Sequence, residues 1–157
     1  MNQLNLPQAD LKIRQSHEKS EVFDVIRKRY VKLTNEEWVR QHFIHYLVRE
    51  KQVPASLIGV ETSIKYNRMS KRCDIVVFDN GGKSVMIVEC KAPEVNINQE
   101  VFNQVALYNM TLKVNFLVVT NGLDHYVAYI DHEKRSFLFL NEIPDYNLIV
   151  APTPPIL

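Results

Sequence analysis

Cysteine and glycine are scarce in this 157-residue chain, which holds two cysteines, Cys73 and Cys90, and four glycines. Two cysteines are too few for the disulfide framework of a small secreted domain, or for a four-ligand structural zinc site. No basic start followed by an apolar run opens the sequence, so no signal peptide is expected. No apolar stretch approaches the roughly 18 residues that a membrane span needs. A G-x-x-x-x-G-K-[ST] phosphate loop, a dinucleotide-binding glycine loop and a serine-nucleophile motif are all missing. Charge of one sign is missing as well: 19 basic against 18 acidic residues leave +1. Dedicated nucleic-acid binders often carry a basic excess, so any DNA contact here has to come from a local basic face. These absences describe a cytoplasmic protein without a membrane partner, whose cysteines are two buried thiols.

The composition, 46% hydrophobic and 24% charged, supports one folded domain. Residues 1–33 are weakly patterned, with short strands conceivable at 11–14 and 21–24. Thr34 reads as a helix N-cap, and Glu37, three residues on, fits a capping box. Trp38, Phe43, Ile44, Leu47 and Val48 then recur at helical spacing up to Pro54. Strands are expected at 57–66, 74–78, 85–89 and 116–120, with an outer hairpin at 126–130 and 136–140. Residues 67–72 read as a polar basic connection, and a helix is expected from 99 to 112, capped by Asn98. Val85, Met86, Ile87 and Val88 form an apolar run suited to a central strand covered on both faces. This order predicts an α/β fold, a mixed β-sheet flanked by helices.

The sharpest local inference concerns residues 72–91. If Gly81 and Gly82 are the centre of a two-residue hairpin turn, Asn80 pairs with Lys83 and Asp74 stands opposite Glu89. Arg72, Asp74, Glu89 and Lys91 then share one face, and Cys73 and Cys90 share the other. Like charges directly opposed across strands are destabilising. Two such carboxylates suit a divalent cation. On this geometry alone they suit better a solvated strand end in which Asp74 pairs with Arg72 and Glu89 with Lys91.

At these residues the chain resembles a known family. Asp74 followed by Glu89-Cys90-Lys91 is similar to the D…E-x-K signature of PD-(D/E)xK nucleases. The segments 34–41, 60–64, 73–77, 87–93, 104–109 and 120–122 follow the order of the N-terminal nuclease-like domain of type I restriction enzyme R subunits. The resemblance spans roughly residues 20–130 and implies a restriction-endonuclease-like fold. It divides the chain into an N-terminal extension at 1–20, a nuclease-like domain at 21–145 and a Pro-rich tail at 146–157. It implies that Asp74, Glu89 and the backbone carbonyl of Cys90 bind Mg²⁺, with Mn²⁺ as an alternative ion, and that Lys91 orients or activates the attacking water. Glu37, on the leading helix, would complete the site, and Gln104 and Tyr108 would support it or touch DNA.

Two departures stand out. Cys73 occupies the place of the motif's proline. The helicase motor that follows this domain in R subunits is not encoded here, so a motor or specificity subunits are expected on other chains, with a homodimer as a further option. The basic run Lys65, Arg68, Lys71 and Arg72 reads either as a phosphate-contacting segment or as a solvated loop. His42 and His45, three apart on one helix, read as surface or packing residues. Glu61 reads as an ion-pair partner, with a contribution to the acidic cluster as the lesser alternative. The function expected is Mg²⁺-dependent hydrolysis of DNA; the alternative is a non-catalytic nucleic-acid-binding or partner-docking module.

Overall fold

The structure, a computed structural model, describes residues 1–152, 154 and 155. Positions 153, 156 and 157 of the expected tail lie outside the described residues. Among the described residues two sheets form. A small antiparallel sheet contains β1 (Ile13–Ser16), β2 (Lys19–Asp24) and β3 (Arg29–Lys32). The expected boundary between residues 20 and 21 falls inside β2.

The main sheet runs in the order β4 (Ile58–Tyr66), β5 (Met69–Phe78), β6 (Ser84–Cys90), β7 (Phe116–Thr120), β8 (His125–Asp131) and β9 (Ser136–Phe139). It is mixed, as expected. Among the described residues only β6 and β7 pair in parallel, and the crossover between them carries α2 (Gln99–Asn109), followed by a 3₁₀ turn at Met110–Leu112.

The Thr34 hydroxyl accepts the Glu37 N–H at 3.0 Å and opens α1 (Asn35–Arg49). The reciprocal half of the capping box is replaced, because the Glu37 carboxylate turns to Arg27, Arg40 and Gln41 instead. Val39, Phe43, Ile44 and Leu47 of α1 pack on one face of the sheet, against Val60, Ile75, Val88 and Cys90. On the other face, Phe102 and Ala106 of α2 pack against Cys73, Val76, Ile87 and Leu117. The strand 85–88 is thus covered on both sides, as its unbroken apolar run predicts. A short helix, α3 (Tyr146–Ile149), returns Ile149 to the α1-side core, so the chain beyond 145 is partly packed. No helix among the described residues is long and apolar enough to cross a membrane.

Two expectations about the hairpins need correction. Residues 67–72 are not a connection: β4 and β5 form one long hairpin, with Tyr66 opposite Met69, which puts Lys71 and Arg72 on a strand and Arg68 at its tip. The β5–β6 turn is also longer than two residues. Asp79 N–H donates to the Lys83 carbonyl at 2.9 Å, and the Asp79 Oδ1 accepts the N–H groups of Gly81 and Lys83. Gly82, at φ 84°, supplies the left-handed residue that this loop needs. A register shift at Val77/Phe78 then offsets the longer turn, so Val77 faces Met86 and Ile75 faces Val88, as the two-residue turn predicts.

Candidate active site

The strands that carry the motif separate where it begins. The β5–β6 ladder ends at Ile75 and Val88. On the other side of β5, the β4–β5 register skips Glu61 and Asp74 while keeping its offset, and Glu61 takes φ 51°. Each strand therefore carries one extra residue at the same level, and side-chain facing inverts there. Ile75 and Val77 belong to the α1-side core, whereas Cys73 lies in the α2-side core. This corrects the expected shared faces: Cys73 and Cys90 point to opposite layers, both buried and unbridged, and Asp74 meets Arg40 on the α1 side whereas Glu89 lies on the α2 side with Lys71 and Asn109. Burial pushes the Cys73 thiol up to about 11 and Cys90 well above its ordinary range, so both remain protonated thiols at neutral pH.

The same inversion sends the two motif carboxylates to different partners. Asp74 Oδ2 accepts the Cys90 backbone N–H at 2.8 Å, and Oδ1 accepts from the Arg40 guanidinium of α1 at 3.1 Å. Glu89 Oε1 accepts from the Lys71 ammonium at 2.5 Å. Lys71 also donates to the Asn109 amide oxygen at 3.2 Å and lies 4.6 Å from the centre of the Tyr108 ring. The carboxylates still feel each other. Burial first, and the neighbouring Asp74 charge in the same direction, hold the Glu89 carboxyl above its ordinary value in spite of Lys71. Burial and Asp74 likewise raise Glu36. The Lys91 charge opposes the rise at both Glu36 and Glu89. Its own backbone N–H is held by the Thr120 carbonyl at 2.8 Å, and among the described residues its ammonium joins no ion pair.

Glu37 sits deeper. One carboxylate oxygen accepts from Arg27 at 2.5 Å and from the Gln41 amide at 2.9 Å; the other is paired with Arg40. Arg27 continues to the fully buried Asp24 at 2.6 Å. An alternating chain of charge, Asp24, Arg27, Glu37, Arg40 and Asp74, thus runs from the end of β2 through α1 to the motif. In this arrangement Glu37 stabilises the site from behind.

Arg40 is one of two residues that sequence reasoning missed. It contacts Glu36 at 3.1 Å and Glu61 at 3.3 Å besides Glu37 and Asp74. The signal was present: Glu36, Glu37 and Arg40 stand at helical spacing on the leading helix. Glu61, read as an ion-pair partner, is one: it also pairs with Arg72. Asn109 was missed too, although it lies one helical position beyond Tyr108. Of the expected Gln104–Tyr108 pair, Tyr108 reaches Lys71, whereas Gln104 is on an exposed position of α2. Arg68 is exposed, and Arg72 is 67% exposed while pairing with Glu61. His42 packs on Trp38, its ring nitrogen 2.8 Å from the Trp38 carbonyl, as a packing residue should.

The donors present suit a hard cation in kind: two carboxylates and a backbone carbonyl are oxygen ligands of the type Mg²⁺ prefers. Among the described residues, no group of three or more His, Cys, Asp or Glu side chains is arranged to hold a metal. Asp74 and Glu89 are held instead by Arg40 and Lys71, so an ion would have to exchange with these cations.

No curated protein matches this chain. A solved fragment named for an HsdR subunit of a type I restriction enzyme from Vibrio vulnificus YJ016 is similar in fold: TM-score 0.51 at 18% identity, covering 72% of this chain and 24% of that one. The chain therefore spans about a quarter of that relative. The model of the family described as type I restriction enzyme R protein N terminus matches residues 35–144, which hold α1, the whole main sheet and every motif residue, and the chain belongs to that family.

Proposed function

We propose that this chain is a Mg²⁺-dependent endodeoxyribonuclease domain serving restriction or another defence against foreign DNA, acting together with other restriction subunits. The supporting observation is the cluster of charge at the fork between β5 and β6: Asp74 pairs with Arg40 and the half-buried Glu89 with Lys71, burial and the Asp74 charge together raise the Glu36 and Glu89 carboxyls, and the nearby Lys91 joins no ion pair among the described residues. Local rules of charge are broken mainly at functional sites, and perturbed carboxyls beside a specific charge partner mark such sites.

Asp74, Glu89 and the Cys90 carbonyl would hold the ion. A bound Mg²⁺ supplies charge neutralisation at a phosphate oxygen and makes a water nucleophilic at neutral pH. Lys91 brings a fixed positive charge to the scissile phosphate and orients the attacking water. Asp74, anchored on the Cys90 N–H, keeps β5 registered against the motif strand. The exposed Arg68 and Arg72 of the β4–β5 hairpin would contact phosphates, which position DNA without reading its sequence.

A second reading, a non-catalytic DNA-binding or partner-docking module, is favoured by one observation: Arg40 and Lys71 already compensate both carboxylates. Plasmid DNA incubated with Mg²⁺ and the parent protein, Glu89→Ala or Lys91→Ala decides between them. Cleavage by the parent alone supports the nuclease; no cleavage by any of the three supports the module.

A further inference from the structure

We propose that Arg40 is a built-in counter-cation of this site, holding the charge place beside Asp74 that a divalent ion would take, so that ion binding and the Arg40–Asp74 pair compete. The inference rests on the metal-dependent reading above and adds a residue to it.

Arg40 is 5% exposed and touches four carboxylates, Glu36, Glu37, Glu61 and Asp74. Two of these have a second cation, Arg27 on Glu37 and Arg72 on Glu61. Asp74 has Arg40 as its ion-pair partner among the described residues. A guanidinium does not shed its charge by deprotonating, as a buried lysine can. It therefore compensates the cluster at every working pH. It is held by charge more than by a complete set of hydrogen bonds: its Nε–H is buried with no partner among the described residues, which costs stability that the surrounding carboxylates offset. Such a side chain has a reason to shift when a stronger cation arrives. Asp74 and Glu89 thus each have their own protein cation, Arg40 and Lys71.

Charge arithmetic fixes the direction. A unit positive charge a few ångströms from an entering dication opposes it even at an effective dielectric of about 20. Removing that charge should raise affinity for the ion and lower stability without it. Arg40 is thus a positioning residue for Asp74 in the ion-free protein.

The test is calorimetric titration of the whole chain with Mg²⁺ and Mn²⁺, beside melting curves with chelator or with ion, for the parent, Arg40→Met, Arg40→Gln and Arg40→Lys. The neutral variants should bind Mn²⁺ roughly tenfold or more tightly than the parent, melt lower in chelator and recover on adding the ion. Arg40→Lys should stay near the parent's affinity. If the parent binds the ion and the folded neutral variants bind it no more tightly, the inference is overturned and the metal reading stands. If neither the parent nor the folded neutral variants bind it, both fall. Should the neutral variants not fold, the parent suffices: Mg²⁺ titration followed by NMR of the Arg40 guanidinium must shift that signal as the ion binds. Binding that leaves the signal unchanged also overturns the inference.

Discussion

The Asp74 carboxylate accepts the Cys90 backbone N–H at 2.8 Å where the backbone ladder between their strands has already ended. A side chain here takes over the work of a neighbouring strand. Asp74→Ala leaves a buried N–H unpaired and removes a carboxylate from Arg40. The expected loss is about 1–3 kcal/mol. Asp74→Asn keeps an oxygen acceptor for Cys90 and should lose less. Urea denaturation of the two variants measures the difference, and equal losses would show that the bond to Cys90 carries no weight.

Glu37 and Glu36 are neighbours with unequal consequences. Glu37 is 5% exposed and pairs with both Arg27 and Arg40. Glu37→Ala leaves two guanidinium groups short of a buried partner, for an expected loss of about 3–5 kcal/mol. The Glu36 side chain is 44% exposed, and Glu36→Ala should change stability by at most about 1 kcal/mol. Similar denaturation midpoints for the two variants would remove Glu37 from the network assigned to it.

The motif was legible because its residues are few and chemically unusual, and because the sheet register next to it follows from a turn and a strand pattern. That register emerged through two offsetting departures: the turn is one residue longer than two glycines suggest, and a bulge absorbs the difference. The facing of Asp74 was not legible. It depends on paired extra residues at Glu61 and Asp74, and alternation of side chains alone cannot show where a strand interrupts its own period. The sheet of β1–β3 was hard to read for a related reason. Much of its surface is exposed, so it lacks the apolar alternation that marks a half-buried strand. Its tie to the site is one buried charge, Asp24, on a stretch with no motif.

That charge gives the pH prediction. Burial alone would raise the Asp24 carboxyl, but the N–H and guanidinium of Arg27 and the Gln41 amide outweigh it and hold it below its ordinary value of 3.8. A carboxyl lowered on folding contributes stability that is complete above its unfolded value and lost as pH falls through its folded one. The melting-temperature gap between the parent and Asp24→Asn should therefore be wide at pH 7 and close below about pH 4. A gap that stays constant down to pH 3 would mean that the carboxylate charge contributes nothing to folding.

Lys71 and Arg68 lie three residues apart on the same basic stretch, yet the structure gives them different work. Lys71 is turned inward, with 17% of its side chain exposed, between Glu89, Asn109 and the Tyr108 ring. Arg68 stands exposed at the hairpin tip. Each phosphate contact releases counterions and adds roughly 0.9 to the slope of log affinity against log salt on duplex DNA. If the tip engages DNA, Arg68→Ala should weaken binding alike on unrelated sequences and reduce that slope by about 1. Lys71→Met should leave the slope near the parent's, because its charge is spent within the protein. Fluorescence anisotropy with two unrelated duplexes over a range of salt separates the two. If Lys71→Met flattens the slope and Arg68→Ala does not, the basic stretch meets DNA through the inner strand face, and the tip is a solvated turn.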